Sequence, residues 1–476
     1  MFDLDRRSFL GGAAGLATLL ALGGCESLRR QIEGRPVRRD VSTLATNSPV
    51  LEAYRDGIAQ MRALPASDPR NYTRIAQIHQ NFCPHGNWFF LPWHRAYLLS
   101  MERIIRQLTG WAEFALPYWN WSCQRRIPAP FWESGSPLFH ADRWIGPTDD
   151  ADASIVGQAR INALLAETDF ELFASGYATS LRPGSVKGPL EQGPHDYIHA
   201  SFIGGTMRTF MSPLDPIFWL HHGILDYLWF DWNSRGNANS NDPAYTGLVI
   251  SGQMVDGAGD PVDYQVGALI LAPLLAYRYE PPSRCFRTSP FLADEALLRR
   301  FLERGAEVRL RTVQEFPPIA RGLVLDPRKQ MRVELPLPAK AVHPAIAEDS
   351  GQRLLLRVDD IVPPSDGTYV RVFVALPEGE SPAPDSPHYA GAFAFFVDPE
   401  HAGHHGGALN YHVDLTPAFE KLRAAGRLGD PNRISVTFQA VPADFTRAPA
   451  LEHQPFTFGQ VIPVLIERKP GPQGVR

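Results

Sequence analysis

Cysteine is scarce in this chain, with four residues among 476. That is too few for disulfides to form the main framework of an exported fold. A basic surplus is missing as well: 46 Lys and Arg stand against 51 Asp and Glu, for a net charge of −5. With no large basic cluster either, the composition argues against nucleic acid as a partner, because nothing would follow a phosphate backbone. Long apolar runs are also few. The one at the N-terminus, about Phe9 to Gly24, is short for a bilayer span and is followed by charge.

Behind Arg6-Arg7-Ser8, that run reads as an export signal of the twin-arginine type, the bacterial route for proteins that are already folded. Leu22-Gly23-Gly24-Cys25 resembles a lipoprotein box. Residues 1–25 are therefore expected to be a signal peptide, with Cys25 lipidated. The expected location is the periplasm or cell envelope, with a lipid tether to the membrane.

What is plentiful is concentrated. The 15 histidines and 10 tryptophans cluster, and 43 prolines imply long ordered loops. Residues 26–280 read as one mainly α catalytic domain, a four-helix-bundle core with long Pro/Gly/Trp-rich loops. Tyr97, Leu98, Met101, Ile104, Ile105 and Leu108 fall at helical spacing, which puts His94 at or inside the first turn of a helix. A second helix is expected to carry His195 and His199, and a third to run from Pro216 to about Asn233. Residues 281–330 read as a Pro/Arg-rich linker, and 331–470 as a C-terminal β-sandwich. Its strands are predicted over 352–361, 367–376, 391–397, 433–441 and 454–466, separated by turn residues.

The histidines carry the chemistry. One group is His79, His85 and His94; the other is His195 and His199, followed by His221-His222. Imidazoles four apart on a helix share a face and can share one ion. Adjacent His221 and His222 diverge by about 100°, so only one joins the second group. His222 is preferred because Asp226, four residues on, could orient its ring. Three imidazoles per ion leave a position open for an exogenous molecule, as at catalytic or gas-binding sites. Spacing alone does not name the metal.

His94-Arg95-Ala96-Tyr97 with Glu102, and Asp215-Pro-Ile-Phe-Trp-Leu-His-His222-Gly-Ile-Leu-Asp226, resemble the two copper signatures of the tyrosinase, catechol oxidase and molluscan haemocyanin family. The resemblance implies two copper ions, held by His79, His85 and His94 (copper A) and by His195, His199 and His222 (copper B), with dioxygen as co-substrate. It implies oxidation of o-diphenols to o-quinones, and ortho-hydroxylation of monophenols, with a small phenol as substrate. Cys83-Pro84-His85 matches the spacing of a thioether crosslink found in several branches, which would leave Cys123 and Cys285 as a possible disulfide. Glu191 stands where plant polyphenol oxidases hold a water near copper B; Asp196 departs from the Asn common in good hydroxylators. Tyr277-Arg278-Tyr279 is similar to the motif that closes the plant catalytic domain. Phe210 is a possible roof over copper A, and Trp88, Phe89, Phe90 and Trp93 are expected to be dry walls. The β-rich tail resembles the plant domain that covers the site, which implies latency relieved by proteolysis between 281 and 330 or by mild detergent. His401, His404 and His405 form a His-rich loop, expected to be solvated. A copper donor or chaperone is a further expected partner. Two other classes stand beside this one. A haemocyanin-like carrier would bind oxygen without turnover, and a dizinc hydrolase would need carboxylate or bridging ligands that the motifs lack.

Overall fold

In a computed structural model of the chain, the described residues are 34–280 (without 183 and 185), 308–335, 351–396 (without 365), 410–428, 434–443, 445, 447 and 453–470. The export signal with Cys25, the loop holding His401, His404 and His405, and Cys285 lie outside them. Among the described residues no helix is long and apolar enough to cross a membrane.

Four helices frame the first domain. Helix α1, Pro49–Ala63, starts where the Ser48 side chain accepts from the Leu51 N–H and Pro49 supplies a ready-made first turn. The Asn71 side chain caps α2, Tyr72–Phe82, which stops at Cys83 because Pro84 disfavours a helical residue before it. Helix α3, Phe90–Thr109, ends on Gly110 in the left-handed conformation (φ 70°). It begins earlier than the spacing indicated, because Pro92 fits its first turn, so His94 falls in the second turn. Helix α4, Ile217–Ser234, is buried on every face, consistent with its apolar sequence all round. The expected third helix is therefore present, and the expected second is not a plain α-helix. It consists of two wide π-type segments, Glu191–His195 and Tyr197–Ile203, around Pro194, which has no N–H to give an α-type bond.

Short strands brace this domain. Strand β1 (Val37–Arg38) pairs in parallel with β5 (Arg278–Tyr279), β2 is Val186–Lys187, and β3 (Val249–Val255) with β4 (Pro261–Gln265) forms a hairpin. The second domain is the expected β-sandwich. One sheet has the order β11 (Tyr389–Phe393), β10 (Tyr369–Val374), β13 (Ile434–Val441), β8 (Gln330–Leu335). The other runs β2, β12 (Asn410–Asp414), β9 (Gln352–Asp359), β14 (Phe456–Pro470), β6 (Val308–Glu315), with β7 (Ala320–Leu325) also on β14. Between them lies an apolar core including Leu354, Val372, Phe393, Phe438 and Phe458. The linker is shorter than expected. Strands β6 and β7 belong to the sandwich although their charged side chains are largely exposed, and that exposed edge character is what made 308–325 read as a connector.

Strand β2 is the hinge of the architecture, since it comes from the catalytic domain yet is the edge strand of the second sheet, parallel to β12. Around it the two domains are bonded by side chains. Arg353 meets Glu167 at 2.6 Å, Tyr369 Oη donates to Asp152 at 2.5 Å with Arg371 beside it, and Gln192 Nε2 donates to the His412 carbonyl at 2.5 Å.

Candidate metal centre

The imidazoles of both predicted groups meet in the buried middle of the helical frame. His79, His85, His94, His195, His199 and His222 are each at most 4% exposed. Ligand atoms of His195, His199, His221 and His222 lie within 4.8 Å of one another; so do those of His79, His94 and His222, and of His79, Cys83 and His85. The two groups touch where the rings of His94 and His222 stack at 4.2 Å.

Tautomers tell which nitrogens are available. The Nδ1–H of His79 faces the Phe210 carbonyl at 2.7 Å, that of His94 the Phe90 carbonyl at 2.8 Å, and that of His199 the Met207 carbonyl at 2.9 Å. His195 Nδ1 is 2.8 Å from Asp196 Oδ1. An acceptor at Nδ1 puts the proton there and leaves the lone pair on Nε2. The Nε2 atoms of His79, His94 and His195 are buried with no hydrogen-bond partner among the described residues. Those of His199 and His222 face each other at 3.2 Å, so both rings turn toward the same point. Burial, reinforced by neighbouring imidazoles, lowers the pKa of His79, His195, His199 and His222, and burial brings His94 down to about 3, so these five rings are neutral and ready for a metal. The donor set fits two copper ions, three imidazoles each.

His221 is close enough to count as a seventh ligand but has the wrong tautomer. Trp121 Nε1–H, which can only donate, points at His221 Nδ1 at 3.2 Å. The proton of His221 is thereby fixed on Nε2 while Nδ1 accepts from Trp121, which leaves the ring no lone pair for a metal. We expect His221→Gln to keep two copper ions per chain and His222→Gln to keep about one, as measured by metal content after desalting; the reverse pattern would show the assignment is wrong.

His222 shares a ligand group with His79 and His94 as well as with His195 and His199, but the reason given from sequence for preferring it needs correcting. Asp226 does not orient it. The Asp226 carboxylate accepts from Arg95 Nε (2.5 Å), Arg38 Nη1 (2.8 Å), Tyr277 Oη (2.5 Å) and Tyr279 Oη. Two buried guanidiniums and two phenols outcompete a neutral imidazole, and His222 Nδ1 has no hydrogen-bond partner among the described residues. The Tyr277-Arg278-Tyr279 motif does close the domain: it pairs with β1, and the Arg38 guanidinium lies 3.6 Å from the Tyr277 ring centroid. Arg143 clamps Asp215 through two bonds of 2.6 and 2.8 Å and so fixes the start of α4.

The remaining predicted residues take these places. Cys83 Sγ is 3.5 Å from His85 Nδ1, and burial pushes its thiol up to about 12. Cys123 is disulfide-bonded, and the expected pairing with Cys285 lies outside the described residues. Phe210 stacks on the His85 ring at 5.6 Å. Phe90 and Trp93 wall the cluster, whereas Trp88 and Phe89 pack away from it on Tyr245. The Glu191 carboxylate accepts from the Gly86 N–H (2.8 and 3.1 Å) and from Ser175 Oγ (2.5 Å); burial, with Asp196 nearby, raises its pKa despite Lys187.

Three side chains at the centre escaped sequence reasoning. Phe218 lies over His222 at 4.3 Å. Lys187, fully buried, pairs with Asp196 at 2.6 Å. Phe396 comes from the second domain and closes the cluster, with its ring 4.3 Å from His199, 5.2 Å from His85 and 5.5 Å from His195. The run Ala392-Phe393-Ala394-Phe395-Phe396 was visible only as a strand.

Comparison with known proteins agrees with this centre. The common central domain of tyrosinase matches residues 69–158 and 148–235, and a domain of unknown function matches 318–447. A tyrosinase of Hahella sp. (strain CCB-MM4) is 25% identical over 376 residues, covering 72% of this chain and 76% of its own. The latent form of a chloroplastic polyphenol oxidase from Prunus armeniaca is 28% identical over 298 residues, and the match spans 52% of this chain and about half (49%) of that protein. Latent apple tyrosinase shares the fold over 90% of this chain and 97% of its own, with a TM-score of 0.64 at 20% identity. With its matched central domain and a buried six-histidine cluster at the centre of the fold, the chain carries the common central domain of tyrosinase and is similar to the type 3 copper tyrosinases and polyphenol oxidases.

Proposed function

We propose that this chain is a latent dicopper oxidase that converts o-diphenols to o-quinones and also hydroxylates monophenols at the ortho position. The observation that carries the reading is six buried imidazoles brought together, four of which have an acceptor at Nδ1 that leaves the Nε2 lone pair for a metal. The chemistry a copper pair supplies when bound is reduction of dioxygen, two electrons coming from each catechol. Two catechols and one dioxygen give two quinones and two waters; one monophenol and one dioxygen give one quinone and one water. The protein's part is to hold the imidazoles rigidly, to keep the centre dry behind Phe90, Trp93 and Phe218, and to receive phenolic protons. Glu191 is assigned the last task, through a water, because its raised pKa suits a group that takes up and returns a proton near neutrality. Cys83 and His85 are assigned a thioether crosslink, which would lower the intact mass by two hydrogens.

Latency follows from Phe396, which occupies the space a phenol would need in front of His199 and His195. The names of the two latent relatives are consistent with that. Export by the twin-arginine route, with lipidation at Cys25, is part of the same proposal.

The test is to load purified full-length chain with copper, count the metal, add hydrogen peroxide, and then offer catechol and tyrosine after proteolytic activation. About two coppers per chain, an intense near-ultraviolet band and quinone from catechol are expected. Quinone from tyrosine separates tyrosinase from catechol oxidase, and a band with no turnover would mean an oxygen carrier instead.

A further inference from the structure

Lys187 has no assigned role, yet it is a lysine with no exposed side-chain surface. An ammonium held out of water is costly unless charge and hydrogen bonds compensate it. Here it donates to Asp196 Oδ2 at 2.6 Å and to the Phe396 carbonyl at 3.3 Å, and Glu191 Oε1 lies 3.9 Å away. The other Asp196 oxygen faces His195 Nδ1 at 2.8 Å. The chain of contacts thus runs from Lys187 through Asp196 to the ring of His195, whose free nitrogen faces the centre.

We propose that Lys187 is a positioning residue for the second metal: it compensates Asp196 and so keeps that carboxylate turned to His195, fixing the ring with Nε2 inward. Without the ammonium, Asp196 would be a buried charge with no counter-charge at this distance among the described residues, left to the His195 ring and to the Phe396 N–H that already faces it. An Asn at 196 would need no such partner, because its neutral carbonyl oxygen can accept the same Nδ1–H. Lys187 is thereby the complement to the departure at position 196. The same pair brackets the peptide of Phe396, with Lys187 donating to its carbonyl and Asp196 facing its N–H. Seating of the covering ring and orientation of His195 therefore depend on one ion pair.

The inference rests on the copper reading above, and the test separates the two. Full-length wild type, Lys187→Met, Asp196→Asn and the double variant are titrated with copper, and metal per chain and affinity are measured. Wild type should hold two ions. Lys187→Met should bind the second about 10- to 100-fold more weakly, the loss typical when a group behind a metal ligand is removed. The double variant should recover most of that loss, because the neutral Asn accepts the same Nδ1–H without a counter-charge; a lysine needed only for packing would show no such recovery. If Lys187→Met does not fold, recovery of folding and of two coppers in the double variant supports the proposal. Lys187→Met with wild-type affinity, or a double variant no better than the single, overturns it while leaving the copper reading intact. A wild type that cannot hold two ions overturns the copper reading, and this inference with it.

Discussion

Full-length chain carrying Phe396→Ala should oxidise catechol about 30-fold faster at low substrate than the wild type. Burying a phenylalanine ring is worth about 2 kcal/mol, and each 1.4 kcal/mol is a factor of ten in the open population. The apparent kcat/KM scales with that population as long as the closed state dominates. Complete removal of the second domain should give at least as large a gain. The cut belongs between 281 and 307, because β5 ends at Tyr279 and β6 begins at Val308. Cleavage between 308 and 325, inside the range expected from sequence, would instead sever strands of the sandwich. Catechol assays before and after cleavage, with the released domain washed away, decide the matter. Equal rates for wild type, Phe396→Ala and cleaved enzyme would show that Phe396 packs over the centre without gating it.

Asp226→Ala should destabilise the chain by about 3–5 kcal/mol, a large share of the roughly 5–15 kcal/mol that holds a typical domain together. The substitution leaves the Arg38 and Arg95 guanidiniums, both at most 1% exposed, facing one another without the carboxylate that joins them. Urea unfolding of the metal-free proteins measures it, and a change below about 1 kcal/mol would contradict the network's role. The same residues set the acid limb of stability. Burial alone would raise the Asp226 carboxyl, but Arg95 and Arg38 outweigh it and hold it below its ordinary value; Arg143 does the same for Asp215. A depressed folded pKa means that this stabilisation is complete above the unfolded value, about 3.9, and is lost as pH falls through the lower folded values. The histidines act earlier. Their folded pKa values are lowered by burial, so the unfolded chain takes up protons below about 6.5 while the folded chain does not. Metal-free protein should accordingly lose stability from about pH 6.5 downward, and copper, which needs the same neutral imidazoles, should delay that loss. A flat stability profile between pH 7 and 5 would contradict this.

Much of the centre was legible because its ligands are local in sequence. His195 and His199 are four apart, His94 stands near the start of a helix with an apolar stripe, and Asp215-Pro216 announces another. The preference for His222 over His221 rested on a reason that did not hold: helical spacing sees Asp226 but not the guanidiniums of Arg38 and Arg95 that claim it. Arg38 sits in what reads as a polar lead-in, and nothing nearby in sequence says it will be buried under Tyr277. Phe396 reaches the centre only because one domain is laid on the other, and Lys187 only because its strand folds back beside Asp196; no periodicity encodes either. The sandwich was recognised from its apolar alternation, while β6 and β7 were missed because edge strands expose much of their surface.

Strand β2 gives the second domain a dependence that cuts both ways. In the intact chain, two residues of the catalytic domain cap the open side of β12. Once cleaved free, the sandwich loses that cap and presents the bare hydrogen-bonding groups of Asn410 and Tyr411 to solvent. The discarded fragment is then prone to self-association, with β12 able to pair with the β12 of another copy, while the enzyme it leaves behind bares the shorter, two-residue β2. A sample activated by proteolysis should therefore become turbid in proportion to the cleaved tail and not to the active enzyme.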